Sequence, residues 1–343
     1  MSTVAVALSG GADSAVVALF LRAAGYDIFG IHLVLNQDAH AKVQREKAEG
    51  VARHLGIDLH VHDAIRLFTS LVVTPSRTEY QAGTTPNPCV TCNRVIKFSA
   101  LLDHARALGA NTLATGHYAR VEEIAGRHVL MRALDRQADQ SYFLYSIDAA
   151  VLPRILFPLG GMRRSEVRAI AAQEGFSSGK PSQDICFDVR PESEGTPGDV
   201  VDIDGNVVGR HRGLGSFTIG QRRGLGVDTG SPLYVVRIDA HRNEVVVGSD
   251  ADLFCTTASL GQVRWLSSEP PSSHQEVQAK VRYRSRSTPA HVVTSGDGST
   301  VVLFAEPQRA VAPGQSAVLY DDDIVLGGGI VEGNCSGSLV EEE

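Results

Sequence analysis

The sequence has few cysteines and no long apolar run, and these absences narrow the classes of protein that it can encode. Five of the 343 residues are cysteines, an odd and sparse set that argues against a disulfide scaffold and leaves thiol chemistry or metal binding open. The apolar run near the N-terminus is too short for a signal-peptide core or a membrane span, and no basic region precedes it. We therefore expect a cytoplasmic protein without a membrane anchor.

Internal repeats and metal-binding histidine patterns are also absent, although there are twelve histidines. The net charge of −7 does not exclude a nucleic-acid partner, because a local basic face is sufficient for binding. With 43% hydrophobic residues, the chain is long enough for two or three domains with sizeable cores.

Residues 3–117 alternate short apolar runs with segments of helical periodicity. Such alternation predicts parallel strands joined by right-handed crossovers, and hence an α/β fold with a doubly wound parallel sheet. The predicted strands are "TVAVAL", "YDIFGIHLVL", "DLHVHDA" and "NTLATGH", and the predicted helices are "DSAVVALFLRAAGY", "DAHAKVQREKAEGVARHLGI" and "NRVIKFSALLDHARALGA".

From residue 199 onward the chain consists of short valine-rich runs separated by turn signals such as Asp-Gly. This pattern is typical of antiparallel strands, and it predicts a small central β-rich domain followed by a C-terminal β-barrel. We expect domains at residues 1–185, 186–258 and 259–343.

The stretch "SGGADS", residues 9–14, lies between the first predicted strand and the first predicted helix. Its glycines allow a ligand to approach the backbone, and amides at a helix start can hold a phosphate. The stretch is neither a Walker loop nor a dinucleotide fingerprint. It favours nucleotide binding, and the alternative is a glycine-rich turn in which Asp13 or Ser14 only caps the helix.

Two cysteines, Cys89 and Cys92, stand three residues apart behind Pro86 and Pro88. The prolines keep the backbone before the cysteines out of a helix, which indicates a fixed placement. Three interpretations fit the residues alone: a structural metal site, a redox dithiol, or a nucleophilic cysteine beside a partner.

The basic stretch "KVRYRSRS", residues 280–287, carries a cation at every second position. If the stretch is a strand, Lys280, Arg282, Arg284 and Arg286 project from one face and suit nucleic-acid phosphates. The alternative is a solvated edge strand that charge protects from aggregation.

Six motifs carry a resemblance to a known family across nearly the whole chain. They are "TPNPCVTCNRVIKF", "ATGHYAR", "DQSYFL", "DICF", "FTIGQRRGLG" and "PGQSAVLYD". Together with "SGGADS", which looks like the pyrophosphatase loop (PP-loop) of ATP-dependent adenylating enzymes, they resemble the tRNA-specific 2-thiouridylases. The resemblance implies an adenine-nucleotide alpha-hydrolase-like PP-loop domain at the N-terminus.

The activity that the resemblance implies replaces the C2 oxygen of the wobble uridine by sulfur in tRNAs for lysine, glutamate and glutamine. ATP with Mg²⁺ adenylates the oxygen. Sulfur arrives as a persulfide on Cys186 from a cysteine desulfurase or a sulfur-carrier protein. Cys92 is the nucleophile that frees hydrosulfide from the persulfide or attacks carbon itself, and a Cys92–Cys186 disulfide would need reduction in each turnover.

By the same resemblance, residues of the glycine loop and two neighbouring strand ends bind ATP, with Asp13 helping to hold magnesium. The implied ATP contacts are Ala7, Leu8, Ser9, Gly10, Gly11, Ala12, Asp13, Ser14, Leu33 and Gly116. The implied tRNA contacts are Asn87, Pro88, Cys89, His117, Ala138, Asp139, Gln140, Arg282, Tyr283 and Gln315.

The sequence departs from one common form of the family at Cys89, where that form has an aspartate, and at Ala138, where the family usually has a lysine. Cys89, Cys92 and Cys186 resemble the three-cysteine sets that hold an iron–sulfur cluster in related tRNA thiolases, because soft thiolates suit such a cluster. Persulfide chemistry with or without a [4Fe–4S] cluster therefore stays open.

Two other classes of function share the glycine loop. A small-molecule ligase resembling argininosuccinate synthase would need no paired cysteines, and a non-catalytic nucleotide-binding regulator would need neither Cys92 nor Cys186.

Overall fold

The computed structural model describes residues 3–176, 195–227, 231–267 and 269–333. The chain divides into two compact units, and both contain segments that are distant in sequence. The first unit comprises Met1–Val72, Cys89–Cys186 and Asp323–Val325, and the second comprises Val73–Pro88, Phe187–Asp322 and Leu326–Glu343.

The described strands of the first unit form a five-stranded parallel sheet and a separate hairpin. The strands are β1 Thr3–Ala7, β2 Asp27–Val34, β3 Leu59–Asp63, β4 Thr112–Ala114, β5 Ala119–Ile124, β6 Arg127–Arg132 and β7 Ile155–Leu156. The sheet order is β3-β2-β1-β4-β7 with all neighbours parallel, which confirms the predicted doubly wound sheet. Because the chain leaves β1 in one direction and resumes at β4 on the other side, the carboxyl ends of β1 and β4 flank the switch point where ligands bind in such sheets.

Helices cover this sheet because their apolar residues recur at helical spacing. α1 buries Ala15, Val16, Val17, Ala18 and Leu21 against the strands. The α-helices of the described chain are α1 Ala12–Ala23, α2 Ala39–Leu55, α3 Ile65–Phe68, α4 Thr74–Gln81, α5 Pro88–Cys92, α6 Leu102–Ala107 and α7 Arg164–Gln173. Short π-helical segments are Thr69–Val73 and Asn93–Leu101, and short 3₁₀ segments are Ser141–Phe143, Ala149–Arg154, Leu214–Ser216 and Ala251–Leu253.

The helix predicted over residues 93–110 is interrupted. A π-helical segment occupies Asn93–Leu101, and α6 follows after a kink at Phe98, whose φ is −100° and ψ is 16°. The hairpin of β5 and β6 had no counterpart among the predicted elements. Arg132 donates a backbone hydrogen bond to the Asp323 carbonyl at 2.8 Å, and Ile324 pairs with Met131, which explains why residues 323–325 belong to this unit.

The second unit is rich in β structure, as predicted. Its strands are β8 Gly198–Val201, β9 Val207–His211, β10 Tyr234–Asp239, β11 Glu244–Gly248, β12 Phe254–Trp265, β13 Val277–Lys280, β14 Thr288–Thr294, β15 Thr300–Arg309, β16 Ser316–Asp321 and β17 Ile324–Glu332. In the described chain a four-stranded sheet has the order β10-β11-β8-β9, and strands β12-β15-β14-β13-β16-β17 close into an antiparallel barrel because β12 also pairs with β17. The barrel core is small and aliphatic, with Val292, Val302 and Leu319 at its centre.

The structure does not contain the strand that we considered for residues 280–287. β13 ends at Lys280, and the chain then turns, with the Ser285 amide donating to the Arg282 carbonyl at 3.1 Å. Lys280 itself is only 8% exposed. The four cations therefore do not alternate along one strand face, and a turn has replaced the expected stripe.

Among the described helices, none combines the length and the apolar character that crossing a membrane requires.

Candidate functional site

The glycine loop after β1 forms a tight turn into α1. Gly10 has a φ of +80°, and a Cβ at this position would overlap the backbone oxygen of Gln44 in α2. Only glycine satisfies both conditions. The Ser9 amide donates to Ser14 Oγ at 3.2 Å, and Ser14 Oγ donates to the Gly11 carbonyl at 2.9 Å.

The first turn of α1 has no side-chain cap. The N-cap residue is Gly11, and neither Asp13 nor Ser14 fills the capping role in which they could have been purely structural. The amides at this helix start point to the carboxyl end of β1, where the helix dipole favours an anion. The local geometry therefore favours the phosphate-binding interpretation of the loop.

The other predicted ATP contacts lie around this loop in the first unit. Ala7 is the last residue of β1, and the buried Leu8 accepts a hydrogen bond at its carbonyl from Nδ1 of His32 at 2.8 Å. Leu33 follows His32 in β2. Gly116 comes after β4, and a Cβ there would lie 3.2 Å from both Asp13 Cβ and Ser14 N, so β4 delivers its loop directly against the first turn of α1.

Asp13 is held beside the loop by a tyrosine that the sequence analysis did not select. The Tyr118 hydroxyl donates to Asp13 Oδ1 at 3.1 Å. Burial raises the pKa of Asp13, an effect that the positive charges of Arg164 and Arg168 oppose. Burial also raises the pKa of Tyr118 and keeps the phenol protonated, so that it donates to the carboxylate.

Two arginines of α7 lie close to the same carboxylate. The Arg164 guanidinium lies 5.7 Å from the Tyr118 ring centroid, and Arg164 and Arg168 both act electrostatically on Asp13. Within the described chain neither arginine forms a direct ion pair with a carboxylate, and the carboxylate on which both charges act is that of Asp13. Their spacing of four residues in "RSEVR" puts them on one helix face, a signal that the sequence does contain.

His117 follows Gly116 and is fixed by two polar contacts. Its Nδ1 lies 2.7 Å from Thr115 Oγ1, and its Nε2 lies 3.5 Å from Lys97 Nζ. Burial, and secondarily the Lys97 charge, lowers the pKa of His117 well below its usual range. The imidazole is therefore neutral, with Nε2 assigned as the acceptor toward the ammonium group.

Both cysteines of the proline-rich motif are on α5. Cys89 is half-buried and Cys92 is 4% exposed, and each carries a thiol rather than a disulfide. Their i, i+3 spacing places them on one face of the helix. Asn93, which follows directly, is buried, and its Nδ2 donates to the Phe143 carbonyl at 3.1 Å.

Cys186, the predicted persulfide cysteine, lies outside the described residues. Cys255 is buried in the barrel and disulfide-bonded, which removes it from the thiol chemistry. In the ranges that the structure describes, no group of three or more His, Cys, Asp or Glu residues is arranged to hold a metal.

The predicted tRNA contacts at residues 138–140 have internal roles in the structure. Ala138 and Asp139 are buried, and the Asp139 carboxylate accepts hydrogen bonds from the Ala133 amide and from the amide and hydroxyl of Ser141. Gln140 Oε1 accepts from the Tyr118 amide at 3.0 Å. RNA contact by these residues stays a prediction, and the structure gives them a scaffolding role beside Tyr118.

The remaining predicted tRNA contacts belong to the second unit. Arg282 donates to the Ile219 carbonyl at 2.9 Å, and the Lys280 ammonium lies 5.6 Å from the Tyr283 ring centroid. Gln315 Nε2 donates to the Thr85 carbonyl at 2.8 Å, two residues before Asn87.

Comparison with known proteins covers the chain in three successive segments. Residues 2–189 match the tRNA methyl transferase HUP domain, residues 189–249 match the tRNA methyl transferase PRC-barrel domain, and residues 256–331 match the aminomethyltransferase β-barrel domain. The tRNA-specific 2-thiouridylase MnmA of Gloeothece citriformis (strain PCC 7424) is 40% identical over 97% of this chain and 100% of its own length. The tRNA-specific 2-thiouridylase MnmA of Acidithiobacillus ferrooxidans (strain ATCC 53993 / BNL-5-31) is 42% identical over 96% of this chain and 97% of its own length.

The chain belongs to the tRNA-specific 2-thiouridylase family. Among solved structures, this 2-thiouridylase family member is similar to the U34-tRNA thiolase NcsA from Methanococcus maripaludis with its [4Fe–4S] cluster, at 19% identity and a TM-score of 0.37 over 55% of this chain and 61% of that one.

Proposed function

We propose that the protein uses ATP to replace the C2 oxygen of the wobble uridine by sulfur in tRNAs for lysine, glutamate and glutamine. The observation that carries this proposal is the arrangement in the first unit, where Arg164 and Arg168 bring positive charge to Asp13 in the uncapped first turn of α1. Membership of the 2-thiouridylase family supports the same conclusion independently.

The glycine loop holds the part of ATP that leaves. The amides in the first turn of α1 and the cations Arg164 and Arg168 stabilise the pyrophosphate, since both groups present positive charge to an anion in a partly buried site. Asp13 helps to hold the Mg²⁺ that accompanies ATP, and Tyr118 orients its carboxylate. Leu33 and Gly116 line the adenosine side, at the neighbouring strand ends.

Adenylation activates a poor leaving group. The C2 oxygen of the uridine attacks the α-phosphorus, pyrophosphate departs, and the oxygen now leaves carbon as part of AMP. Asn87, Pro88 and Cys89 contact the flipped base, which an anticodon loop releases from its stack at low cost. His117 contacts the RNA as a neutral ring and adds no second charge beside Lys97.

Sulfur transfer then uses the two thiols that the family motifs supply. The Cys92 thiolate attacks the inner sulfur of a Cys186 persulfide, which forms a Cys92–Cys186 disulfide and releases hydrosulfide. Hydrosulfide adds to C2, and AMP leaves with the oxygen. An external dithiol reductant regenerates both thiols, and a cysteine desulfurase or a sulfur-carrier protein reloads Cys186.

An iron–sulfur cluster fits the donor set in part. Cys89 and Cys92 place two thiols on one face of α5, and thiolate is the ligand type that such clusters take, with Cys186 as the third ligand. When bound, a [4Fe–4S] cluster would supply an open iron for hydrosulfide. Iron content and visible absorbance of protein purified without oxygen, followed by thiolation before and after chelation, separate the two versions of the chemistry.

The wider assignments follow from the same proposal. The partners are tRNA and a sulfur donor, the compartment is the cytoplasm where both are found, and the working domains are those predicted at residues 1–185, 186–258 and 259–343.

The experiment that tests the function incubates the protein with ATP, a lysine tRNA, a cysteine desulfurase and cysteine. We expect 2-thiouridine in the digested tRNA by mass spectrometry, with AMP formed only when tRNA is present. A small-molecule ligase would form AMP only when a small-molecule acceptor replaces the tRNA, and a non-catalytic regulator would bind ATP and form no AMP with either.

A further inference from the structure

Gln315 lies in a barrel turn that is itself firmly fixed. The Gly314 amide donates to the Val331 carbonyl at 3.0 Å, and the Val331 amide donates to the Gln315 carbonyl at 2.7 Å, which joins the turn to β17. Gly314 has a φ of +87°. The half-buried Gln315 side chain therefore projects from a rigid support.

This turn grips the chain that leads to the cysteines. Besides the bond from Gln315 Nε2 to the Thr85 carbonyl, the Thr85 amide donates to the Pro313 carbonyl at 2.9 Å. A Cβ on Gly314 would lie 2.9 Å from both Thr85 N and Thr85 C, so the two backbones are in close contact. Both polar backbone groups of Thr85 are thus bound by one turn, which we call the barrel clamp, residues 313–315.

The same lead-in segment is anchored a second time, just upstream. Gly83 lies two residues after the end of α4 with a φ of +77°, and its amide donates to the Tyr80 carbonyl at 3.0 Å. A Cβ on Gly83 would meet the Ile238 side chain of β10. The Thr84 hydroxyl also donates to the Glu79 carbonyl at 2.8 Å, which ties the segment to the last turn of α4.

The backbone between the barrel clamp's partner Thr85 and Cys89 has little conformational freedom. Pro86 and Pro88 are buried and have fixed φ angles, and Pro88 is the first residue of α5. A constraint at Thr85 is therefore passed along the backbone to Asn87 and Cys89.

We propose that Gln315 is a positioning residue, which acts through Thr85 to place Asn87 and Pro88, the residues that lead into Cys89, for the target base. This assignment rests on the proposed function for its catalytic meaning. It differs from direct contact between Gln315 and tRNA in what a substitution changes: loss of positioning lowers the rate of the bound complex, and loss of a contact weakens tRNA binding.

The test uses two substitutions of different kinds and a matched control for each. Gln315→Leu removes the donor, and Gln308→Leu makes the same change at a β15 glutamine whose side chain donates to the nearby Glu306 carbonyl. Gly314→Ala places a methyl group against Thr85. Gly298→Ala puts the same methyl at another barrel turn, with a φ of +86° and no atom within 4 Å of the new Cβ.

Two readouts are measured, and only one of them depends on activity. In single-turnover adenylation we expect the rate constant of the bound complex to fall about 10- to 100-fold in Gln315→Leu and in Gly314→Ala. The tRNA Kd should be unchanged. Small misplacements of a reacting group have effects of this size. In the absence of tRNA and ATP, we expect Cys89 to be alkylated faster in both variants than in the unsubstituted protein. Peptide mass spectrometry measures the alkylation rate, and the thermal midpoint of unfolding shows whether each variant is folded. Both controls should match the unsubstituted protein.

Each outcome has a single meaning. Unchanged Cys89 alkylation in both Gln315→Leu and Gly314→Ala would overturn the positioning role. A raised tRNA Kd with an unchanged single-turnover rate constant would overturn it as well. Faster alkylation in a protein that thiolates no tRNA would leave the barrel clamp standing and overturn the proposed function instead.

Discussion

At the scale of single residues, the cysteines make the sharpest prediction. We expect Cys92→Ser and Cys186→Ser each to lower thiolation by roughly a thousandfold or more, because a hydroxyl replaces the attacking or persulfide-carrying sulfur. ATP binding should be retained in both. Nucleoside mass spectrometry and calorimetric titration with ATP provide the two measurements.

Cys89 supplies the comparison for these variants. With persulfide chemistry alone, Cys89→Ser keeps most of the activity, and with a cluster it loses both the iron and the activity. Thiolation that survives in Cys92→Ser or Cys186→Ser would contradict the roles assigned to those residues.

The arginines of α7 make a second prediction. We expect Arg164→Ala and Arg168→Ala to lower kcat/KM for ATP by about 10- to 100-fold, since each removes a cation from a developing pyrophosphate. Arg164→Lys should recover part of the loss, because it keeps the charge without the planar group over Tyr118. Arg163→Ala, at an exposed position just before them, is the control, and an equal loss in that variant would argue against a specific role for the pair.

His117 predicts a pH dependence of stability. Its pKa is lowered in the folded protein, so below about pH 6.5 the unfolded chain binds a proton that the folded chain refuses. The free energy of unfolding therefore falls as the pH drops from about 6.5 toward the folded pKa, by at most about 1.4 kcal/mol per pH unit from this group.

The measurement is urea unfolding at several pH values. We expect His117→Asn to flatten the slope and His128→Asn, at an exposed position of β6, to leave it unchanged. An identical slope in His117→Asn would show that other groups account for the acid sensitivity.

At the scale of elements, the turn from β1 to α1 gives a test of stability. We expect Gly10→Ala to cost roughly 1–3 kcal/mol more than Gly25→Ala, because the added methyl group overlaps the Gln44 backbone. Gly25 has a similar φ, +83°, and nothing within 4 Å of a Cβ, so it isolates the backbone strain. An equal loss of unfolding free energy in the two variants, measured by thermal or urea unfolding, would show that α2 shifts to make room for the methyl group.

The regular elements were largely predictable from sequence. The strands of the parallel sheet are short apolar runs, and α1 and α2 have clear helical periodicity, so local pattern and final fold agree. The stretch after Lys280 was not predictable, because alternating cations suit a strand and a turn equally until a partner strand is known. The placement of residues 73–88 with the barrel depends on bonds from Thr85 to Pro313 and Gln315, which no local pattern encodes.

The candidate site shows the same division. Gly116 lies against the first turn of α1, next to the glycine loop with which the family resemblance grouped it, and ATP contact by these residues stays a prediction. Tyr118 and the α7 arginines could not be selected from the sequence, because their proximity to Asp13 depends on packing between elements that are far apart in sequence.

At the scale of the whole molecule, tRNA recognition predicts a salt dependence. We expect Arg282→Ala to weaken tRNA binding and to reduce the slope of log Kobs against log salt by about 0.7–0.9, the amount for one phosphate contact. Arg264→Ala, at an exposed position in β12, should change neither quantity. A weaker affinity with an unchanged slope would indicate that Arg282 acts only through its bond to the Ile219 carbonyl.

We propose that ATP cleavage and sulfur transfer are coupled at the wobble uridine of one tRNA. A single turnover without oxygen tests this coupling: persulfide-loaded protein, ATP and a lysine tRNA are mixed, and AMP and 2-thiouridine are counted together. We expect equal amounts of the two products, and neither product without tRNA. Formation of 2-thiouridine without ATP, or of AMP without tRNA, would contradict the coupling.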